Sequence, residues 1–541
     1  MTAPKRILVT LLVILLTAIS ANMPAAQAIQ PPSIDPHRVP ADGKPGPDQP
    51  MRQSNVCART ITVADPNVAV LAPGFAMLNI SKAWEYSTGN GVVVAVIDTG
   101  VNPSARLPVI AGGDYITGGD GLMDCDAHGT IVASVIGAAP QGTPMPAPMP
   151  KAPAFPPPPG PPPTNSAPPP PGAPPPPAAV PTPTPVTITE TKPPPPPPPA
   201  DEPANGPGDP TPDSAEDPEV PPPPPGAPDG IVGVAPHATI LSIRQSSRAY
   251  EPVRPAPGDE ARRKAGTLAT LASAIVHAAN MGAKVINVSV TSCVPAADSM
   301  DQSEIGAAVW YAATVKDAVI IAAAGNEGEQ DCAQNPSFDP LDAADPRDWH
   351  HVKTISSPSW FADYVLSVGA VDNTGAPLGK SLAGPWVAAA APGVAVMGLS
   401  PQTGGPANAY PPIRLGEKNM PFWGTSFSAA YVSGIAALVR AKYPELSAHQ
   451  VINRILQTAH NPPRGVDNRL GYGVVDPLAA LTFHVPLGDR VAPGAQSRVL
   501  HPTPPPLPPD HRARTMALAF TGLILAIVLA SSLANRVRRA R

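Results

Sequence analysis

The sequence predicts an α/β fold with a mostly parallel central sheet covered on both faces. Three observations carry that expectation. Apolar, β-branched runs of strand length recur along the chain, without the polar/apolar alternation of a sheet with one wet face. Each is followed by a stretch with helical spacing, so strand and helix alternate. Polar residues flanked by glycine cluster at the strand ends, where open α/β sheets build their sites.

The chain has 541 residues, enough for one large domain with appended segments. With 84 prolines and only 4% aromatic residues, part of it cannot be packed core. A formal net charge of -5, without a basic stripe, argues against a nucleic-acid partner. Lys5 and Arg6, the apolar run Ile7 to Ile19 and Ala26-Gln27-Ala28 have the three parts of a secretory signal ending at Ala28. Residues 29–82 form an N-terminal extension, with a short helix expected over Leu71 to Trp84.

Gly91 to Ile97 is the first buried strand, ending at Asp98-Thr99-Gly100. Asp124-Cys125-Asp126-Ala127-His128-Gly129-Thr130 precedes an apolar helical run, which places His128 near a helix start. Residues 140–228 are polyproline-rich and are expected to be disordered with polyproline II character, a solvated insertion within one domain. Ala238 to Arg244, Val285 to Val290, Ala318 to Ala324 and Tyr364 to Val371 read as strands. Leu268 to Met281, Ser303 to Val315 and Ala448 to Thr458 read as helices, and Gly282 stops the first of these. Ala391-Pro392-Gly393 reads as a loop before the helix that begins at Gly424-Thr425-Ser426, and Gly471-Tyr472-Gly473 as the turn that closes the domain near Leu481. Residues 83–484 therefore form one domain interrupted by the insertion. A Pro-rich stalk follows over 485–515, then an uncharged apolar run over 516–534, long enough to span a bilayer. The arginines of the 535–541 tail favour a cytoplasmic C-terminus, so the bulk of the chain is expected outside the cell membrane.

Ser426 sits at a helix N-terminus, where free N–H groups and the helix dipole favour negative charge. Alone, a serine there is a cap. Acyl transfer needs a nucleophile, a base, a carboxylate to orient the base, and oxyanion donors. Ser426, His128, Asp98, and Asn326 with the Ser426 N–H supply that set, in the chain order Asp, His, Ser. An esterase is disfavoured, because no G-x-S-x-G elbow surrounds Ser426. Cys57, Cys125, Cys293 and Cys332 allow three pairings and contain no C-x-x-C. No carboxylate cluster has calcium-loop spacing, so neither metal nor cofactor is expected.

Ile97-Asp98-Thr99-Gly100, His128-Gly129-Thr130, Ala324-Gly325-Asn326-Glu327-Gly328 and Gly424-Thr425-Ser426-Phe427-Ser428-Ala429 resemble the signature blocks of subtilisin-like serine proteases. The resemblance runs from Ala83 to Leu481 apart from the insertion, and it implies a subtilisin-like three-layer fold. The signal, the cysteine-bearing extension, the stalk and the C-terminal apolar run narrow the resemblance to the mycosins, membrane-anchored proteases of type VII secretion systems. That implies protein substrates, a place beside the secretion membrane complex, and a role in stabilising it; a scaffold with secondary proteolysis is the alternative. It also implies the pairings Cys57–Cys125 and Cys293–Cys332, which would keep the extension as a strap. Ser289-Val290-Thr291 would pair with substrate and Gly325 would floor the first specificity pocket. Thr291 stands where many of that family have glycine, which predicts a pocket for small or medium apolar side chains.

Overall fold

The computed structural model describes residues 29, 32–148, 218–254, 265–298, 300–329, 331–337, 347, 349, 351–412, 414, 417–495 and 512–539. The proposed signal, most of the Pro-rich insertion and most of the stalk lie outside the described residues. The chain divides into two units, 1–495 and 496–541.

The first unit is built on a seven-stranded sheet. Its strands are β1 (Val93–Asp98), β2 (Val109–Asp114), β3 (Thr239–Arg244), β4 (Val285–Val288), β5 (Val319–Ala323), β6 (Val365–Val371) and β7 (Val387–Pro392). They lie in the order β7-β6-β5-β4-β1-β3-β2, and every neighbouring pair is parallel. A parallel sheet needs both faces covered, and alternate side chains of each strand supply both cores. Val94, Val96 and Ile321 pack with α1 (His128–Gly137), α4 (Thr425–Lys442) and α5 (Ala448–Gln457) through Ile131, Val135, Val432, Ala436 and Val451. Ala95, Ile97, Ile286 and Ile320 pack with α2 (Leu268–Asn280) and α3 (Ser303–Trp310) through Leu271, Ile275, Ile305 and Val309. Capping boxes start α2 at Thr267 with Thr270, and α5 at Ser447 with Gln450. From Thr425 to Arg440 every residue of α4 is buried, as befits a core helix with no solvated face.

Several expectations need correction. The segment expected as one helix over Leu71 to Trp84 forms two, Pro73–Met77 and Ile80–Ala83, because Asn79 takes a left-handed conformation (φ 51°) between them. Ala391-Pro392 belong to edge strand β7, not to a loop. An alanine-rich run with weak β propensity is held there by its ladder to β6, and Pro392 ends the strand, where a missing donor matters least. β4 stops at Val288, so Ser289-Val290-Thr291 leave the sheet before Ser292–Pro295 pairs antiparallel with Thr354–Ser357. After Trp310 the helix under-winds into a π-helical turn, Tyr311–Val315, with Lys316 N donating to Tyr311 O at 3.1 Å.

The N-terminal extension is woven into the domain. Met51–Gln53 pairs with Tyr250–Pro252, and Thr62–Val63 with Glu219–Val220 at the return end of the insertion. Asn408 satisfies Val63 N, Val63 O and Pro66 O from below. The two ends of the insertion meet at Arg106. Its guanidinium donates to Ala139 O on the outgoing side, to Ile231 O on the returning side, and to both carboxylate oxygens of Asp229 at 2.7 and 2.9 Å. The Arg106 side chain is 11% exposed and that of Asp229 0%.

In the second unit a helix, α6 (Arg512–Arg539), carries a 21-residue segment, Leu518–Arg538, of mean hydropathy 2.0. It is long and apolar enough to cross a bilayer.

Removing one partner of a buried ion pair strands the other. Arg106→Ala is expected to cost about 3–5 kcal/mol in urea unfolding. Arg59→Ala, which breaks an exposed pair with Glu219, is expected to cost less than about 1 kcal/mol. Equal costs would show that the insertion is not clamped at Arg106.

Candidate active site

The candidate residues converge at the C-terminal edge of the sheet. Asp98 is the last residue of β1 and is 1% exposed. Its Oδ1 accepts from Thr99 N at 2.6 Å and lies 2.7 Å from His128 Nδ1. His128 opens α1 directly after Ala127, whose φ of 63° turns the chain into the helix. This approach requires two glycines. A Cβ on Gly129 would lie 2.1 Å from Gly100 O, and one on Gly100, at φ +99°, would lie 2.2 Å from Met123 O.

A second carboxylate locks the arrangement, and the sequence reading missed it. Asp124 is buried and accepts from Thr99 Oγ1 (2.8 Å), Thr130 N (2.8 Å), Thr130 Oγ1 (2.6 Å) and Asp126 N (3.2 Å). Thr99 Oγ1 in turn accepts from Gly129 N at 2.9 Å. The residue after Asp98 is thereby tied to the residues after His128. Burial pushes the Asp124 carboxyl up to about 7 against those hydrogen bonds, which pull the other way. The visible signal was an Asp four residues before the histidine, with nothing to set it apart from Asp126.

For His128, burial works to lower the imidazole pKa, but the charge of Asp98 and its hydrogen bond prevail. The net direction is upward from the ordinary 6.5. Phe427 packs on the ring with centroids 5.3 Å apart.

Ser426 is the second residue of α4 and is 7% exposed. Its hydroxyl donates to Ser289 O at 3.3 Å, and Ser289 Oγ donates to Ser426 O at 3.4 Å. Among the described residues no hydrogen bond joins Ser426 to His128. The serine therefore rests against the segment after β4, one residue from the side chain that contacts the imidazole. Asn326 follows β5. Its Oδ1 accepts from Thr425 N (3.1 Å) and Thr425 Oγ1 (3.2 Å), which fixes the amide beside the α4 N-terminus with Nδ2 outward, 3.4 Å from Glu329 Oε1. Gly325, at φ +105°, donates its N–H to Thr425 Oγ1 and faces Leu382 and Ser356.

Asp98, His128, Ser289, Gly325, Asn326 and Ser426 thus share one rim of the sheet. Val290 and Thr291 continue that rim from Ser289. The four cysteines form two bridges beside it. Cys57–Cys125 joins the extension to the loop three residues before His128, and Cys293–Cys332 ties the segment after Thr291 to the loop after Asn326. A hydroxyl at a helix N-terminus, an imidazole oriented by a carboxylate, and an outward amide form a set suited to acyl transfer.

The comparisons agree in kind. The sequence profile of the subtilase family matches residues 213–473, a span holding Asn326 and Ser426. Asp98 and His128 lie before it, across the Pro-rich insertion. Mycosin-2 of Mycobacterium tuberculosis (strain ATCC 25618 / H37Rv) is 70% identical over 97% of this chain and 96% of its own length. Mycosin-5 of the same organism is 48% identical over 92% and 90%. Among solved structures, MycP1 from the ESX-1 type VII secretion system superposes with a TM-score of 0.67 at 39% identity, covering 86% of this chain and all of that one. A chain of the intact ESX-5 inner membrane complex gives 0.66 at 44%, covering 94% of this chain and all of its own. With its parallel sheet and its order of signature blocks, the chain belongs to the mycosins, a branch of the subtilisin-like serine proteases.

Proposed function

We propose that this chain is a membrane-anchored endopeptidase, acting outside the cytoplasmic membrane on secreted proteins beside a type VII secretion complex. The observation that carries the catalytic reading is the 2.7 Å contact between Asp98 Oδ1 and His128 Nδ1, at the rim that also holds Ser426 and Asn326. His128 takes the proton of Ser426 Oγ as that oxygen attacks a peptide carbonyl. Asp98 holds the tautomer with the free nitrogen toward the serine and stabilises the imidazolium. Asn326 Nδ2 and the Ser426 N–H take the developing oxyanion at the positive end of α4. Collapse of the tetrahedral intermediate expels the amine, which takes its proton from His128, and water releases the acyl group by the same steps. Ser289-Val290-Thr291, free of the sheet, offer backbone groups to an extended substrate, and Gly325 leaves room for its side chain.

Anchoring is supported by Leu518–Arg538, and the secretion setting by the likeness to chains of ESX-1 and ESX-5 structures. The ESX-5 likeness, which spans 94% of this chain, also favours a second role as a structural part of such a complex.

The base must be neutral to act, so activity falls as pH drops through the His128 pKa. The acylation rate is expected to reach half its plateau above pH 6.5. Asp98→Asn removes the charge that does most to raise that pKa, leaving burial, the largest influence, and Arg248 to lower it against Asp124, so the midpoint is expected below 6.5, with a plateau lower by about 10⁴. An unmoved midpoint would separate Asp98 from the base.

Asn326→Ala is expected to lower kcat by about 10²–10³ with the fold retained. A full rate in a folded variant would remove Asn326 from the site. In cells, Ser426→Ala is expected to abolish processing of secreted proteins, read by proteomics of culture filtrate against the parent. Secretion that survives this change but fails on deletion of the chain would establish the structural role.

A further inference from the structure

Resting on that proteolytic reading, we propose that Arg248 and Glu329 form a charged bar across the substrate cleft, which an incoming polypeptide must part to reach Ser426. The argument begins with sheet order. Arg248 follows β3, and Glu329 follows β5. Between those strands lie β4 and β1, the strands that end in Ser289-Val290-Thr291 and Asp98. Three inter-strand steps separate the anchors, about 14 Å. Yet Arg248 Nη2 lies 3.5 Å from Glu329 Oε1, so the two side chains reach toward each other over the ends of β1 and β4. The same carboxylate oxygen accepts from Asn326 Nδ2 at 3.4 Å. The bar therefore rests on one of the two groups proposed to receive the oxyanion.

Both anchors are held at the backbone. Arg248 N donates to Asp126 Oδ1 at 2.7 Å, and Arg248 O accepts from Asn55 Nδ2 at 3.1 Å. Asp126 and Asn55 adjoin the Cys57–Cys125 bridge in sequence. On the other side Glu329 N donates to Asn326 O at 3.2 Å, and Glu329 O accepts from Cys332 N at 3.0 Å, next to the Cys293–Cys332 bridge. The two disulfides brace the two posts, while the side chains that meet between them stay exposed, Arg248 at 89% and Glu329 at 36%. An exposed pair on rigid posts opens at small cost and re-forms in place. It taxes every polypeptide that enters and leaves a small reagent untouched.

The test compares two serine-directed reagents on the full chain, on the alkaline plateau where His128 is neutral. Phenylmethylsulfonyl fluoride needs only Ser426, whose oxygen displaces fluoride. An uncharged acetyl-trialanyl diphenyl phosphonate must lay its peptide along the cleft. Arg248→Gln is expected to speed inactivation by the phosphonate by about two- to five-fold and to leave the sulfonyl fluoride rate unchanged. Glu329→Gln is expected to give a similar gain with the phosphonate, and the double variant no more than either single change, since one pair is being broken. Added salt is expected to speed the phosphonate reaction of the parent but not of Arg248→Gln. Equal phosphonate rates in parent and variants, gains that multiply in the double variant, or a slower Glu329→Gln with both reagents would overturn the bar while sparing the catalytic reading. Failure of the sulfonyl fluoride to label Ser426 in any form, read by intact mass, would overturn both.

Discussion

The structure depends on how closely the first turn of α1 approaches the end of β1. An imidazole meets a buried carboxylate at 2.7 Å only if two backbone segments come nearly into contact, and Gly100 and Gly129 make that contact possible. The geometry is over-determined. Asp124 gathers hydrogen bonds from Thr99 and Thr130, and Thr99 takes one from Gly129, so strand end and helix start are sewn together independently of Asp98 and His128. Such a frame matters because the ring would otherwise rotate, and base catalysis falls steeply once the base leaves hydrogen-bond reach.

That frame sits just ahead of the Pro-rich insertion, which leaves the chain directly after α1. The fold tolerates it because closing a loop costs only logarithmically with its length, once its ends are fixed. They are fixed by Arg106, which reaches carbonyls on both the outgoing and the returning strands of chain and spends its charge on the buried Asp229. The returning end adds two residues of strand to the N-terminal extension. The extension is thus part of the same construction, joined covalently at Cys57–Cys125. A segment bound by a disulfide, two short ladders and Asn408 is held as a strap whether or not its first residue is free.

The parts of the fold visible in the sequence were those with redundant signals. β1, β5 and β6 are β-branched and alanine-rich runs bounded by polar residues, and α2 and α5 carry capping residues as well as helical spacing. β2 was hidden because Gly112 and Gly113 dilute its run, and β7 because alanines and a proline resemble a loop until β6 supplies a partner. The break at Asn79 depends on one left-handed residue, which no periodicity announces. At the site, the nucleophile, base and carboxylate candidates were legible because their chemistry is scarce and their order informative. Asp124, Arg248 and Glu329 were not. Each is an ordinary charged residue whose meaning comes from the element packed opposite it, and that element lies far away in the chain.

The resting position of Ser426 is consistent with the proposed chemistry. Its hydroxyl is held by one neutral hydrogen bond to Ser289 O at 3.3 Å, longer than the usual O–H···O distance. Giving up such a bond costs no more than about 1 kcal/mol, which is less than a factor of ten in rate. The segment that holds the serine is the one available to pair with an extended substrate, because β4 ends at Val288 and leaves Ser289-Val290-Thr291 outside the ladder. The small and adjustable part of the site, one hydroxyl on α4, therefore rests against a loop. The expensive part, a buried carboxylate against an imidazole, is built into the sheet and helix, where rigidity is already present.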